Sequence, residues 1–417
     1  MSATRPASPP APAWSIAGLD GRVLTLVALC SITYFLDCLI PALMGPLGVP
    51  IAQSLSLDRT QLGAVFSANL VGQCVGLVTV PLAARRLGHR QIILWMTFGF
   101  GVVQLLTTFV TNGEMLLASR FVAGVFLGGA LPSGLAAVTQ GAPPARRGLA
   151  TMLLFTGYGL GGAAAGFLAS LFMTGELWRH AFAVTGGACL VASVVIGRWL
   201  VEPAAETNSD STEPARRRLR DIVSPPLLGG TLLLWLMFAC ALTIYYCLSS
   251  WLPTLLVDIG RSPRIAALAV GSYTSGGVLS GLLMGPLIDR FGATRILVLF
   301  FGIAAASLLA IAQWMTLLDD TPLLTLLAGC GFFMLGGYGG LNVVLAGHYP
   351  ASLRATGIGW TKSVSRLGTV LPPLAVGYAL TRGTAPELLV ASFALPAIAI
   401  MLALGAISSV FNPARRG

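Results

Sequence analysis

Four charged residues lie within long apolar stretches of this sequence, and they are where chemistry is expected: Asp37, Arg120, Lys362 and Arg366. A charge at the centre of a hydrocarbon layer costs at least about 2.5–3.5 kcal/mol on insertion scales, so each needs a partner or a wet cavity. Lys362 and Arg366 are four residues apart and share one helix face. Two cations on one buried face repel each other unless an anion sits between or near them. No acid in the second half of the chain is embedded, and the embedded groups sum to three positive against one negative. The missing anion is therefore expected to be a ligand carboxylate. Arginine grips a carboxylate with two parallel hydrogen bonds, whereas lysine acts as a point charge. The alternative, more natural for Lys362, is a cation that snorkels or caps carbonyls.

At about 1.5 Å of rise per residue, Asp37 lies some 20 Å along its helix and Arg120 about 6 Å from the start of its own, both toward the same membrane face. They are expected to pair through a cavity, directly or by water. A pair that breaks and reforms would let Asp37 take up and release a proton; a fixed pair would simply hold two helices together. Around the cations stand Tyr34, Phe35, Tyr158, Tyr245, Tyr246, Tyr338 and Trp360. Of these, Tyr245, Tyr246 and Tyr338 are the preferred candidates for stacking against an aromatic ligand, with ordinary helix packing as the alternative. Asn342 is a candidate to hydrogen-bond a ring hydroxyl, or else to bond a neighbouring helix. There is no embedded carboxylate pair, no Ser/His/Asp set, no metal-ligand cluster and no ATP-binding motif, so neither an enzyme nor a cofactor is expected.

The elements that must position these groups follow from composition. Of 417 residues, 55% are hydrophobic and only 10% charged. Soluble domains carry about 25% charged residues, so a single water-soluble core is excluded. A helix crossing a 30 Å hydrocarbon core needs roughly 20 apolar residues. Twelve such spans are predicted, at 23–47, 60–84, 91–110, 116–140, 149–174, 179–200, 227–257, 263–288, 295–314, 322–347, 355–381 and 387–410. The expected fold is all-α: a six-helix bundle over 23–200, a polar linker over 201–226 and a second six-helix bundle over 227–410. The tails at 1–22 and 411–417 are expected to be disordered and cytoplasmic.

The basic residues orient the bundle. Of the 25, three are embedded and only Arg59, Arg179, Arg261, Arg264 and Arg382 fall on one side, leaving 17 on the side of the termini. By the positive-inside rule both termini face the cytoplasm, across a cell inner membrane. That asymmetry also accounts for the net charge of +10 without any nucleic-acid partner. The seven cysteines, all in apolar segments and without a CxxC, read as packing residues. In the fifth span, Gly157 and Gly161 stand at GxxxG spacing, which predicts close helix packing.

A repeat is visible. The loop Pro81-Leu-Ala-Ala-Arg-Arg-Leu-Gly-His-Arg90 aligns with Gly285-Pro-Leu-Ile-Asp-Arg-Phe-Gly-Ala-Thr-Arg295, placing Gly88 over Gly292 at half the chain length. Each is a basic turn between the second and third span of its half. The second of these resembles the loop motif of the major facilitator transporters, and Arg120-Phe-Val-Ala-Gly-Val-Phe-Leu-Gly128 resembles their fourth-helix motif. Three further stretches narrow the resemblance: Leu233–Leu256, Gly331–Asn342, and Tyr349–Trp360 with Ser365-Arg-Leu-Gly368. They are similar to the aromatic acid:proton symporters, which import hydroxybenzoates, protocatechuate, phenylpropionates and related acids.

The resemblance implies two pseudo-repeated bundles with a site at mid-membrane between them. It implies a substrate anion at Arg366 and gating contacts at Arg85, Arg86, Gly88, Arg90, Asp289, Arg290 and Gly292. Its expected partners are a small organic acid, protons and the lipid bilayer, with the chain acting as a monomer. The sequence departs from the family at Tyr34, where a first carboxylate is usual, at Gln140 near the end of span 4, and at Arg85 and Pro81 in the first loop. Proton-driven import of an aromatic or related organic acid is the leading expectation. Carboxylate exchange or uniport is the alternative that the depleted acids favour, and efflux of a drug-like compound shares the fold.

Overall fold

The computed structural model of the chain describes residues 15–16, 19–143, 146–201, 221–350 and 353–410, and within them not the side chains of 15, 16, 19, 81–86, 226, 355 and 408–410. Long apolar runs with few breakers fold as long helices. In the first half these are α1 (Gly21–Ser54), α2 (Arg59–Leu87), α3 (His89–Thr107), α4 (Gly113–Gly141), α5 (Arg147–Ala169) and α6 (Trp178–Trp199). The second half has α7 (Pro225–Asp258), α8 (Pro263–Phe291), α9 (Ala293–Trp314), α10 (Asp320–His348), α11 (Arg354–Gly368), α12 (Leu371–Thr381), α13 (Pro386–Ser392) and α14 (Ala394–Val410). Among the described residues, eleven segments are long and apolar enough to cross a membrane.

The ends are set by local chemistry. The side chains of Asp20, Asn112 and Ser262 accept from the amides of Val23, Met115 and Ile265, capping α1, α4 and α8. Such caps each stabilise a helix by about 0.5–2 kcal/mol. Gly88 and Gly292, which the sequence repeat superposes, both hold positive φ, at 82° and 86°, in the one-residue turns between α2 and α3 and between α8 and α9. Only glycine adopts that conformation freely.

Two expectations are corrected. The eleventh span is not one helix: it breaks at Thr369 and Val370 between α11 and α12. Pro372 and Pro373 supply no amide to the preceding turn, which forces the break. The Ser67 hydroxyl donates to the Val370 carbonyl (2.7 Å) and the Trp251 indole to that of Pro373 (3.0 Å), so carbonyls at the break are satisfied by neighbouring helices. The N-terminal tail is not featureless either, since β1 (Ser15–Ile16) and β2 (Leu19–Asp20) pair antiparallel just before α1. Residues 1–14, the linker over 202–220 and the tail at 411–417 lie outside the described residues.

The packing repeats as the sequence does. In the first half α2 packs on α4, α1 on α5 and α3 on α6; in the second α8 packs on α10, α7 on α11 and α9 on α14. The expected close contact in span 5 is present: a Cβ on Gly161 would lie 2.1 Å from the Phe35 carbonyl oxygen, so α1 and α5 meet backbone to backbone. Large apolar side chains such as Val78, Phe109, Leu171, Leu371 and Leu402 remain exposed on the outside, as a lipid-facing surface requires.

The halves meet through α1 with α7, α2 with α12, and α5 with α8. The end where α1 finishes and α2 begins is tied across the halves. Arg59 pairs with Asp258 (2.5 Å) and the Thr60 and Thr381 hydroxyls are 3.0 Å apart. At the same end Arg179 donates to the Thr108 and Val110 carbonyls and binds Glu176, which accepts from Ser54.

Candidate functional site

A small cavity of about 30 Å³ lies between the halves, lined by Asp37 and Cys38 of α1, Gln73 of α2, Leu127 and Leu131 of α4, Tyr158 of α5, and Tyr245, Tyr246, Ser249 and Ser250 of α7. Its lining is mixed: a carboxyl, an amide, two serines and three phenols stand among apolar residues. Asp37 is 8% exposed, and its Oδ2 has no hydrogen bond among the described residues. Burying a carboxylate oxygen without a partner is costly, so the pocket is built around an unmet need.

Arg366 reaches this region from the last turn of α11, beside the proline break. Its Nη1 donates to Gln73 Oε1 at 2.5 Å, across the halves. Gln73 is 5% exposed and its Nε2 donates to Asn69 Oδ1 (2.7 Å), one turn earlier on α2. The Asn69 amide donates in turn to the Arg120 carbonyl (3.3 Å).

Lys362, one turn before Arg366, has its Nζ 4.2 Å from the Phe238 ring centroid and 4.9 Å from that of Tyr338. It also reaches the Tyr338 hydroxyl at 3.5 Å. Cation–π contacts of this kind are worth about 0.5–2 kcal/mol. Tyr245 and Tyr246 meet edge-on at 5.1 Å, and the Tyr245 hydroxyl lies 3.6 Å from Cys38 Sγ, a second contact across the halves. Thus Arg366, Lys362, Tyr245, Tyr246 and Tyr338 gather around one region. Asn342 does not join them. It is exposed, and its amide is spent on the Tyr338 and Gly339 carbonyls of its own helix.

The structure separates Asp37 from Arg120. Arg120 is 1% exposed, donates to Thr107 Oγ1 (2.5 Å) and lies 4.9 Å from the Phe182 ring centroid. It therefore braces α4 against α3 and α6. Depth explains this: Arg120 is seven residues from the start of α4, whereas Asp37 is seventeen from the end of α1. At 1.5 Å per residue their levels differ by about 15 Å. At the family's departures, the Tyr34 hydroxyl donates to the Leu131 carbonyl and its ring meets Tyr158 edge-on, while Gln140 Nε2 lies 3.3 Å from His89 Nε2.

Of the loop residues, Gly88 and Gly292 form the turns, Arg90 donates to the Gly197 carbonyl (2.5 Å) and Arg290 lies over Phe291. Asp289 is exposed. The side chains of Arg85 and Arg86 lie outside the described residues.

Sequence reasoning missed Gln73, Asn69 and Phe238. Asn69 and Gln73 are two amides at i and i+4 inside an apolar span, a spacing that puts both on one helix face. That signal was available. Phe238 carried none, since a ring in an apolar helix is ordinary. The cavity is lined by one carboxyl and three phenols, and Arg366 reaches its edge through Gln73, with Lys362 one turn earlier on α11. This arrangement offers positive charge to an anion, and a ring would enter only once the helices around the cavity move apart.

Comparison with known proteins fits this geometry. The family model described as Major Facilitator Superfamily matches residues 28–373 and 234–416. The chain is 32% identical to the 4-hydroxybenzoate transporter PcaK of Pseudomonas aeruginosa, over 83% of this chain and 84% of that one. It is also 32% identical to the 3-(3-hydroxy-phenyl)propionate transporter of Escherichia coli, over 90% and 94%. Among solved structures, the D-xylose-proton symporter superposes with a TM-score of 0.75 at 13% identity, covering 94% of this chain and 98% of that one.

Proposed function

Because the chain belongs to the Major Facilitator Superfamily, and is thus a multi-pass membrane transport protein, we propose that it imports an aromatic carboxylate together with a proton. The observation that carries this reading is Arg366: an embedded guanidinium at the junction of the halves whose described side-chain hydrogen bond goes to a neutral amide. A substrate carboxylate supplies the anion. Tyr245, Tyr246, Tyr338 and Tyr158 offer edges and faces to its ring, and Lys362 adds a second positive charge one turn away. The names of the two relatives support an aromatic acid as the class.

Asp37 is the proposed proton site. Its carboxyl lines the same cavity as Gln73, the acceptor that Arg366 holds. A proton entering with the anion keeps the charge of the site balanced, which couples the two. Arg120 is assigned to bracing the first bundle, on its contacts with Thr107 and Phe182.

The proposed moving bodies are 23–200 and 227–410, rocking about the pocket in alternating access. With 17 basic residues on the side of the termini, that side is taken as cytoplasmic. The end tied by Arg59–Asp258 is then the external one, and the structure corresponds to a carrier closed to the outside. Gly88, Gly292 and Arg90, with Arg85, Arg86, Asp289 and Arg290, stand at the cytoplasmic turns where a gate would work.

The test is uptake of radiolabelled 4-hydroxybenzoate and 3-(3-hydroxyphenyl)propionate into proteoliposomes, with and without an inward proton gradient. Gradient-stimulated uptake by the wild type, lost in Arg366→Ala, supports the reading. Asp37→Asn should lose the stimulation and keep exchange. Uptake indifferent to the gradient but accelerated by internal substrate would establish anion exchange instead, the reading that Tyr34 in place of a carboxylate favours.

A further inference from the structure

We propose that Gln73 is a built-in competitor for the substrate: its amide oxygen holds Arg366 in the empty carrier, and the substrate carboxylate must displace it. This rests on the reading that Arg366 binds the anion. Four observations carry it.

First, the Arg366–Gln73 bond is a charge-assisted contact of 2.5 Å, the place on the guanidinium where a carboxylate oxygen would sit. Second, the amide is oriented for the task. Gln73 Nε2 is committed to Asn69 Oδ1, and Asn69 Nδ2 to the Arg120 carbonyl, so the Gln73 oxygen is the atom turned toward Arg366. Third, α2 holds that position firmly. A Cβ on Gly124 would lie 2.9 Å from the backbone nitrogen of Gln73, and one on Gly128 2.3 Å from its backbone carbonyl oxygen. Helix α2 therefore meets α4 backbone to backbone on both sides of Gln73. Fourth, Gln73 lines the pocket with Asp37, Tyr158, Tyr245 and Tyr246, so an anion in the pocket arrives beside the bond it has to break.

The neutral amide is suited to this role. A glutamate there would satisfy Arg366 permanently, and an apolar residue would leave the guanidinium without a hydrogen-bond acceptor when no substrate is bound. The glutamine oxygen accepts one hydrogen bond and yields to a full negative charge. Because Gln73 is on α2 and Arg366 on α11, exchanging one acceptor for the other also removes a tie between the halves. Gln73 is thus a positioning residue that sets anion affinity and reports occupancy to the rocking interface.

The experiment is the dissociation constant of 4-hydroxybenzoate and of 3-(3-hydroxyphenyl)propionate for the full chain in lipid nanodiscs, in wild type, Gln73→Ala, Gln73→Glu and Arg366→Ala. A competitor predicts opposite signs. Gln73→Ala should bind at least threefold tighter, and Gln73→Glu at least tenfold weaker. The double variant Gln73→Ala with Arg366→Ala should bind no tighter than Arg366→Ala alone, since the gain from Gln73→Ala needs the guanidinium it frees. A merely structural role predicts weaker binding in Gln73→Ala, and weaker or unchanged binding there overturns the inference while Arg366→Ala still loses the ligand. If Arg366→Ala binds as wild type does, or wild type binds neither probe, the functional reading falls and this inference with it.

Discussion

At the scale of single residues, buried charge was the legible signal. Arg366, Lys362 and Asp37 stand out in an apolar sequence, and all three line or flank the region between the halves. What the sequence could not convey was which charges meet. Arg120 was expected to pair with Asp37, yet a neutral hydroxyl and an aromatic ring surround it. Arg120→Ala is therefore predicted to remove the charge-assisted hydrogen bond to Thr107, whose hydroxyl keeps its bond to the Val103 carbonyl, at about 1.5–3 kcal/mol. The melting temperature should fall while affinity for 4-hydroxybenzoate stays within about twofold, as thermal unfolding and binding isotherms would show. An affinity loss of tenfold or more would return Arg120 to the site. Removing the Arg366 guanidinium should cost binding about 2 kcal/mol or more, roughly 30-fold. The amide pair Asn69 and Gln73 went unread because neutral polar residues in a span usually serve as interhelical glue.

At the scale of helices, eleven predicted spans match the observed helices closely because hydropathy over about 20 residues is what a membrane demands. The Gly88 and Gly292 turns were legible as well, through the repeat and the backbone freedom of glycine. The break between α11 and α12 was not foreseen, although Pro372-Pro373 announces it. The apolar run hides the missing amides, and the break is sustained because Ser67 and Trp251 satisfy carbonyls there. The break places Arg366 in the last turn of α11, three residues before Thr369. The tight α1–α5 contact gives a stability prediction. Gly161→Val would drive a side chain into the Phe35 carbonyl, and folded protein recovered after solubilisation should drop severalfold. Wild-type recovery from size-exclusion profiles would contradict that packing.

At the scale of the whole molecule, the two halves were legible from a repeat of loop motifs, and the paired packing of α2 on α4 and α8 on α10 reproduces it. The conformational state was not legible, since one sequence serves every state of a carrier. The ties Arg59–Asp258 and Thr60–Thr381 close one end in this state. The double variant Thr60→Cys, Thr381→Cys should form a disulfide under oxidation that stops transport reversibly, with reductant restoring it. Continued transport by the cross-linked protein would show that this end need not open. The central claim is that the substrate supplies the negative charge that Arg366 lacks. The most direct test is isothermal titration of the wild-type chain with 4-hydroxybenzoate and with its neutral isostere 4-hydroxybenzamide, repeated for Arg366→Ala. The account predicts that the wild type prefers the carboxylate by at least about 30-fold and that the preference vanishes in the variant. Equal affinity of the wild type for acid and amide, or a carboxylate preference that survives in Arg366→Ala, would contradict it.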